Sequence, residues 1–218
     1  RNFDNYPETQ EGDFLTLKTF RNDGSPASED LQKILAKIHC YWIRETDVDG
    51  FRLDAVKHMK GNDISRFCST IREYAYSLGK RNFFLFGEII GNDEMGNPYI
   101  GPKILPEDRN IYYGLDSILD HPLHSVLAEV IKGNSSPNRL IQRYSDLQKN
   151  ALSRGEYGEF LVTYIDDHDQ VGMDFKHRFG HNATPEQIVA GMGFLICALG
   201  APCIYYGTEQ GFEGNGMD

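Results

Sequence analysis

The 218-residue chain lacks the features of proteins that bind nucleic acids or membranes. Its 22 Lys and Arg residues are outnumbered by 32 Asp and Glu residues, which gives a net charge of −10. Polyanions are bound by clustered basic side chains, so this balance argues against DNA and against an anionic lipid surface. The chain also has no apolar run long enough to cross a bilayer. A neutral polar ligand suits this composition, whereas the compartment and the oligomeric state stay open.

Cysteine is scarce, and the common metal-binding motifs are absent. Cys40, Cys68, Cys197 and Cys203 form no C-x-x-C pair and have apolar neighbours, which predicts buried free thiols. Their spacing leaves a disulfide open. There is also no H-E-x-x-H segment, which argues against a metal-dependent hydrolase.

Helical and strand-like segments alternate along the chain. Apolar residues at helical spacing predict helices over residues 25–46, 62–80, 121–132, 137–153 and 184–200. Ser28 is a candidate cap of the first helix. Short apolar runs predict strands over residues 49–54, 82–90, 112–119, 159–167 and 201–207. Residues 1–27 and 91–110 are polar and rich in Gly, Pro and Asn, and we expect loops there.

Acidic residues follow three of the predicted strands. Asp54 ends the first, Glu88 ends the second, and the segment D-D-H-D at residues 166–169 ends a later one. Alternating strands and helices are typical of an α/β fold with a parallel sheet and right-handed crossovers. The carboxyl ends of parallel strands lie on one side of the sheet, where functional sites are built. We therefore expect these acids to converge in space.

Arg52 and Asp54 are predicted to point the same way, because side chains alternate along a strand. An arginine next to an aspartate favours the ionised carboxylate, and an ionised carboxylate in a dry pocket suits a nucleophile. Taken alone, however, the R-x-D pattern is more often a structural ion pair.

Glu88 follows the apolar segment F-F-L-F-G. Such surroundings disfavour a charged carboxylate, as a second carboxylate nearby does, and a general acid must carry a proton near neutral pH. We expect Gly87 to leave room for a ligand. Taken alone, a glutamate at a strand end often only turns into solvent.

The D-D-H-D segment has two functional interpretations: a metal cluster, or a carboxylate and an imidazole that bind hydroxyl groups around a reacting centre. A third interpretation is that the segment is a polar strand end without a functional role. The reaction that uses two carboxylates of opposite protonation state plus a further acid is glycoside hydrolysis.

Four segments, G-F-R-L-D-A-V-K-H, F-G-E-I, D-D-H-D and G-A-P-C-I-Y-Y-G-T-E-Q-G (200–211), resemble in sequence and order the motifs of the alpha-amylase family of glycoside hydrolases. The resemblance implies a (β/α)8 TIM barrel, of which residues 1–218 cover the C-terminal half to two-thirds as a single segment. Residues 1–27 lead into it as a loop, and residues 28–218 supply barrel strands four to eight with their helices.

The resemblance implies a retaining mechanism on α-1,4-linked glucans such as starch, glycogen and maltooligosaccharides. Asp54 takes the place of the nucleophile, Glu88 that of the general acid/base, and Asp169 that of the third carboxylate, which stabilises the oxocarbenium-like transition state. The positions implied to bind substrate are Arg52, Lys57, His58 and His168.

The chemistry of this family needs no cofactor. In calcium-dependent members the backbone carbonyl at the position of His58 helps to hold a structural Ca²⁺, so the resemblance points to a calcium site there. The partner is then an oligo- or polysaccharide, with neither nucleic acid nor membrane involved.

Two features depart from the family pattern. Asp167 stands where the family usually has Asn, and the Asp-x-x-x-Asn-His motif of the third strand is absent from these residues. An open half-barrel exposes strand edges, so we do not expect it to be a stable isolated enzyme. Because the absent motif would supply contacts to the reacting sugar, we expect the 218 residues alone to have little or no activity. A transglycosylase or sugar isomerase of the same family and a non-catalytic carbohydrate-binding homologue are the alternatives; the presence of all three carboxylates argues against the last.

Overall fold

A computed structural model describes most of the chain as two compact units, and each unit is considered by itself. The described residues are 8–12, 16, 18–21, 23–101, 114–149, 151–152, 155–169 and 177–214. The first unit comprises residues 1–90, 94–101 and 105–117, and the second comprises residues 91–93, 102–104 and 118–218. None of the helices in the described part is both long and apolar enough to cross a membrane.

The first unit is built on two parallel strands covered by helices. Its elements are α1 (Glu8–Glu11), α2 (Pro26–Thr46), β1 (Gly50–Leu53), a 3₁₀ turn (Val56–His58), α3 (Gly61–Ser77), β2 (Phe84–Gly87) and, from residue 94, most of α4 (Asp93–Ile100). The pairing of β1 with β2 brings Gly50 opposite Phe84 and Leu53 opposite Gly87. Helices α2 and α3 cover the pair with the buried residues Ile43, Ile64, Cys68, Ile71 and Ala75.

Helix α2 begins one turn earlier than its predicted cap. The hydroxyl of Ser25 accepts a hydrogen bond from the Ser28 N–H at 3.4 Å, and Pro26 occupies the first helical turn. Proline suits that position because its missing N–H would have no partner in the helix. The prediction of Ser28 as the cap is therefore wrong: Ser28 lies inside the helix.

The second unit contains three parallel strands and three longer helices. Its elements are, from residue 118, most of β3 (Ser117–Leu119), then α5 (His121–Ile131), α6 (Asn138–Leu147), β4 (Ala151–Leu152), β5 (Gly155–Glu156), a 3₁₀ turn (Tyr157–Phe160), β6 (Leu161–Thr163), α7 (Pro185–Cys197), β7 (Ala201–Pro202) and a 3₁₀ turn (Thr208–Gln210). Strand β6 pairs in parallel with β3 and β7, and β4 pairs with β5 in an antiparallel ribbon. The core consists of Leu123, Leu127, Ile165, Phe179, Ile188 and Leu195.

The structure differs from the expected elements in four segments. The short helix α1 (Glu8–Glu11) lies within residues 1–27, predicted to be a loop. Helix α4 occupies residues predicted to be a loop, because Tyr99 and Ile100 are buried and make its last turn part of the core, whereas Gly96, Asn97 and Pro98 are poor helix formers. Residues 102–113 of that segment lie outside the described part. The helix predicted over 137–153 ends at Leu147, and the last strand has two residues.

The cysteines differ in exposure. All four are free thiols. Cys68 is buried and Cys40 is partly buried, but Cys197 and Cys203 are exposed in the structure. The prediction of four buried thiols is thus wrong for the last two, because apolar sequence neighbours do not decide which way a given side chain points.

Candidate active site

Asp54 and Glu88 follow neighbouring strands at the same end of the β1–β2 pair. The main chain continues the ladder past the strands: Glu88 N–H donates to Leu53 O at 2.9 Å, and Val56 N–H donates to Glu88 O at 3.2 Å. The register that places Leu53 opposite Gly87 therefore brings the two acids to adjacent positions. The structure therefore confirms, within the first unit, that these two strand ends lie next to each other.

Arg52 connects the two carboxylates. Its Nη1 donates to Asp54 Oδ1 at 2.6 Å, and its Nη2 lies 3.1 Å from Glu88 Oε1. The carboxylates differ in exposure, since 74 % of the Asp54 side chain is accessible against 13 % of the Glu88 side chain. The contact with Asp54 follows from the R-x-D spacing. The contact with Glu88 was missed, because it depends on the register of a strand more than thirty residues away.

Ala55 adds a backbone donor to this site. Its dihedral angles, φ 47° and ψ 39°, are left-handed, a conformation that costs a non-glycine residue roughly 1–2 kcal/mol. In this conformation the Ala55 N–H donates to Glu88 Oε2 at 3.0 Å. Strained backbone is frequently found at functional sites, where the surrounding structure maintains it. No sequence signal indicates Ala55, because alanine does not favour this region.

Gly87 serves packing rather than ligand access. A Cβ atom built at this position would lie 2.6 Å from Leu115 Cδ1 and 2.8 Å from Val56 Cγ2. The space beside Gly87 is therefore filled by core side chains, and the expectation that it admits a ligand is wrong.

Lys57 and His58 lie on the 3₁₀ turn directly after this site. Lys57 Nζ donates to Ile90 O at 3.0 Å, in the segment that follows Glu88. His58 Nδ1 lies 2.8 Å from Thr9 O, which belongs to α1. Across the described residues, no group of three or more His, Cys, Asp or Glu side chains is arranged to hold a metal ion. Calcium takes six to eight oxygen ligands, so these side chains do not form its site by themselves, and the calcium at His58 stays a prediction.

The second unit carries the remaining predicted residues after β6. His168 and Asp169 are both exposed, at 54 % and 46 %, and His168 Nε2 lies 3.5 Å from Asp169 Oδ2. Asp166, in contrast, is buried and bonds with Arg178 and with Thr208. Thr208 lies in the family-like segment 200–211, but the sequence indicates neither contact. Since Asp169 belongs to the other unit, its convergence with Asp54 and Glu88 stays a prediction.

Comparisons with known proteins define the class. The sequence profile described as "Alpha amylase, catalytic domain" matches residues 14–217. The chain is 28 % identical over 190 residues to the alpha-amylase of Streptomyces lividans, covering 84 % of this chain and 20 % of that one. It is 33 % identical over 179 residues to the cyclomaltodextrin glucanotransferase of Bacillus licheniformis, covering 80 % of this chain and 21 % of that one. The crystal structure of the gamma-CGTase from alkalophilic Bacillus clarkii superposes with a TM-score of 0.75 at 25 % identity, over 100 % of this chain and 28 % of that chain.

The chain belongs to the alpha-amylase catalytic-domain family. Parallel strands joined by helices, together with structural neighbours that are TIM-barrel enzymes, confirm the predicted fold class of a partial (β/α)8 barrel. The chain spans between 16 % and 33 % of the length of curated relatives that it matches. The assignment of residues 1–218 to one barrel domain stays a prediction.

Proposed function

We propose that this chain forms part of a retaining glycoside hydrolase that cleaves α-1,4-linked glucans by double displacement. The observation that carries the proposal is the contact of one guanidinium, that of Arg52, with both Asp54 and Glu88. A retaining glycosidase needs two carboxyl groups about 5 to 5.5 Å apart, and a shared arginine favours so short a separation.

The two acids divide the reaction as the resemblance to the family implies. The exposed Asp54 attacks the anomeric carbon and forms a covalent glycosyl-enzyme, while the recessed Glu88 gives its proton to the departing glycosidic oxygen. Glu88 then takes a proton from water, whose oxygen attacks the anomeric carbon and releases Asp54. Asp169 and His168 bind hydroxyls of the reacting sugar, and Lys57 and His58 lie toward the departing sugar. No step involves a metal.

The substrate class is inferred from the relatives, which include an alpha-amylase. A transglycosylase is the second candidate, because a glucanotransferase is 33 % identical to this chain. Both reactions share the glycosyl-enzyme and differ only in whether water or a sugar hydroxyl attacks it. Chromatography of the products from one pure maltooligosaccharide separates them: shorter sugars alone indicate hydrolysis, and products longer than the substrate indicate transfer.

The mechanism is tested with Asp54→Asn and Glu88→Gln in the protein at its full natural length. Each change should lower kcat on a maltooligosaccharide at least about a hundredfold. An aryl glycoside with an acidic leaving group needs no proton, so it should restore the first step for Glu88→Gln but not for Asp54→Asn. Asp30→Asn and Glu29→Gln, on the exposed face of α2, are matched controls that should keep full activity.

Unchanged turnover by Asp54→Asn would contradict the assignment of the nucleophile. The inactivity proposed for residues 1–218 alone is tested in parallel, by assaying that segment next to the protein at its full length. Turnover at the rate of the full-length protein would contradict it.

A further inference from the structure

Three acids lie within four residues after β6, and one of them is fully enclosed. Asp166 keeps 4 % of its surface, whereas Asp169 is about half exposed. An ionised carboxylate is buried only when cations or hydrogen-bond donors compensate the lost hydration. The donors here are Arg178, which is 6 % exposed, and Thr208, which is 0 % exposed.

These three side chains form a closed set of hydrogen bonds, named here the Asp166 cluster (Asp166, Arg178, Thr208). Arg178 Nε donates to Asp166 Oδ2 at 3.0 Å, and the Thr208 hydroxyl donates to the same oxygen at 2.9 Å. Arg178 Nη2 donates to Thr208 Oγ1 at 3.2 Å and to Tyr206 O at 2.6 Å. A buried polar cluster in which each member has a partner makes its local structure rigid.

The segment after β7 encloses the cation. The rings of Tyr205, Tyr206 and Phe212 have their centres 4.6, 5.3 and 5.6 Å from Arg178 Cζ. The main-chain N–H of Arg178 also donates to Glu213 O at 2.9 Å. A guanidinium with aromatic rings this close gains cation–π attraction in addition to its hydrogen bonds.

The position of this cluster along the chain indicates its role. The ion pair joins residues 166 and 178, which are 12 positions apart, and His168 and Asp169 lie between them. Asp166 is also only three residues from Asp169, so a displacement of the buried carboxylate would move the candidate catalytic group.

We propose that the Asp166 cluster positions Asp169 and His168 for the reaction. Asp166, Arg178 and Thr208 are thus positioning residues that act through Asp169, and the aromatic segment after β7 contributes by enclosing Arg178. This inference rests on the proposed function of Asp169.

The test is a double-mutant cycle in the full-length protein. Thr208→Val keeps the shape and removes the hydroxyl, and it should lower kcat/KM on an activated aryl glycoside, the substrate of all arms of the cycle, about three- to tenfold. Asp166→Asn should lower it about ten- to a hundredfold, because Arg178 is left buried without its counter-charge. In an Asp169→Asn background, with an activated aryl glycoside as substrate, each change should cost less than about twofold. Thr208→Ser keeps the hydroxyl, so its kcat/KM should stay close to that of the parent rather than fall as in Thr208→Val.

A merely structural role would give a different result. The control Leu127→Ala removes a core side chain of the same unit, lowers thermal stability and should leave kcat/KM of the folded enzyme within about twofold. Equal losses from Thr208→Val with and without Asp169 would overturn the inference. If Asp169→Asn itself has full activity, the proposed function fails instead, so the two failures are distinguishable. Should Asp166→Asn not fold, Thr208→Val decides alone.

Discussion

Removal of the Arg143 guanidinium is the perturbation that should destabilise the second unit most. Arg143 lies on α6 and binds two acids: Nη1 and Nη2 contact Asp93 at 2.6 and 3.0 Å, and Nη2 contacts Asp120 at 2.6 Å. The side chains of Arg143, Asp93 and Asp120 are 6 %, 17 % and 1 % exposed. In Arg143→Met the stem is retained, and two recessed carboxylates lose their cation.

The expected loss is large because of this burial. Removing one partner of a buried ion pair costs about 3–5 kcal/mol, since the other charge is left uncompensated. For a chain of this size, each kcal/mol shifts the unfolding temperature by about 2–4 °C, so Tm should fall by about 6–20 °C. The loss also weakens α5, because Asp120 Oδ1 accepts the Leu123 N–H at 2.9 Å as the cap of that helix.

The loss should depend on pH in a defined direction. Burial raises the pKa of Asp120, and Arg143 opposes that rise. An aspartate whose pKa is higher in the folded than in the unfolded state destabilises the fold as the pH rises through the folded-state pKa. Without Arg143 this effect is stronger. The difference in Tm between Arg143→Met and the parent should therefore be smaller at about pH 4.5 than at pH 7.

The assay is thermal unfolding followed by far-UV circular dichroism, because the only tryptophan, Trp42, lies on α2 in the first unit. Arg139→Met is the matched control on the same helix: Arg139 is exposed and bonds with Ser135, so its loss should change stability by less than about 0.5 kcal/mol. Adding Asp120→Asn to Arg143→Met should recover part of the loss. The reasoning would be refuted if Arg143→Met lowered the free energy of unfolding by less than about 1 kcal/mol, or if it lowered Tm equally at both pH values.

Two further predictions concern packing and thiol reactivity. Gly87→Ala should destabilise the first unit by about 1–3 kcal/mol in urea unfolding, because the added methyl group clashes with Leu115 and Val56. The control is Gly193→Ala, where a Cβ meets nothing within 4 Å, and it should stabilise α7 by up to about 1 kcal/mol. Equal effects of the two substitutions on the free energy of unfolding would contradict the packing account. Burial raises the pKa of the Cys68 thiol to about 12, so a thiol reagent at pH 8 should modify the exposed Cys197 first and Cys68 only on unfolding. Rapid modification of Cys68 in the folded protein, detected by peptide mass spectrometry, would contradict this order.

Features that depend on local periodicity could be predicted from the sequence. The alternation of β1, α3 and β2 follows from apolar spacing, and the positions of Asp54 and Glu88 after their strands follow from where that spacing stops. The contact of Arg52 with Asp54 follows from the two-residue period of a strand. These inferences use residues that are close in sequence.

Features that depend on the pairing of segments distant in the chain could not be predicted from the sequence. The contacts of Arg52 with Glu88, and of Arg178 with Thr208, join residues thirty or more positions apart in the chain. The sequence of neither segment indicates which other segment it contacts. Helix α4 forms because Tyr99 and Ile100 are buried, which local propensity opposes. In each case tertiary contacts override or add to the local pattern.

The site at the ends of β1 and β2 shows why a strained residue stands there. Glu88 accepts from Arg52 and from the Ala55 N–H, and Ala55 directly follows Asp54 in the chain. The backbone turn after one candidate catalytic group therefore orients the other, and a shift of that turn would move both carboxylates together. A right-handed conformation at Ala55 would redirect the chain that follows it and break the bond from the Val56 N–H to Glu88 O. The left-handed conformation, at roughly 1–2 kcal/mol, is the cost of a turn that holds the two acids in fixed positions relative to each other.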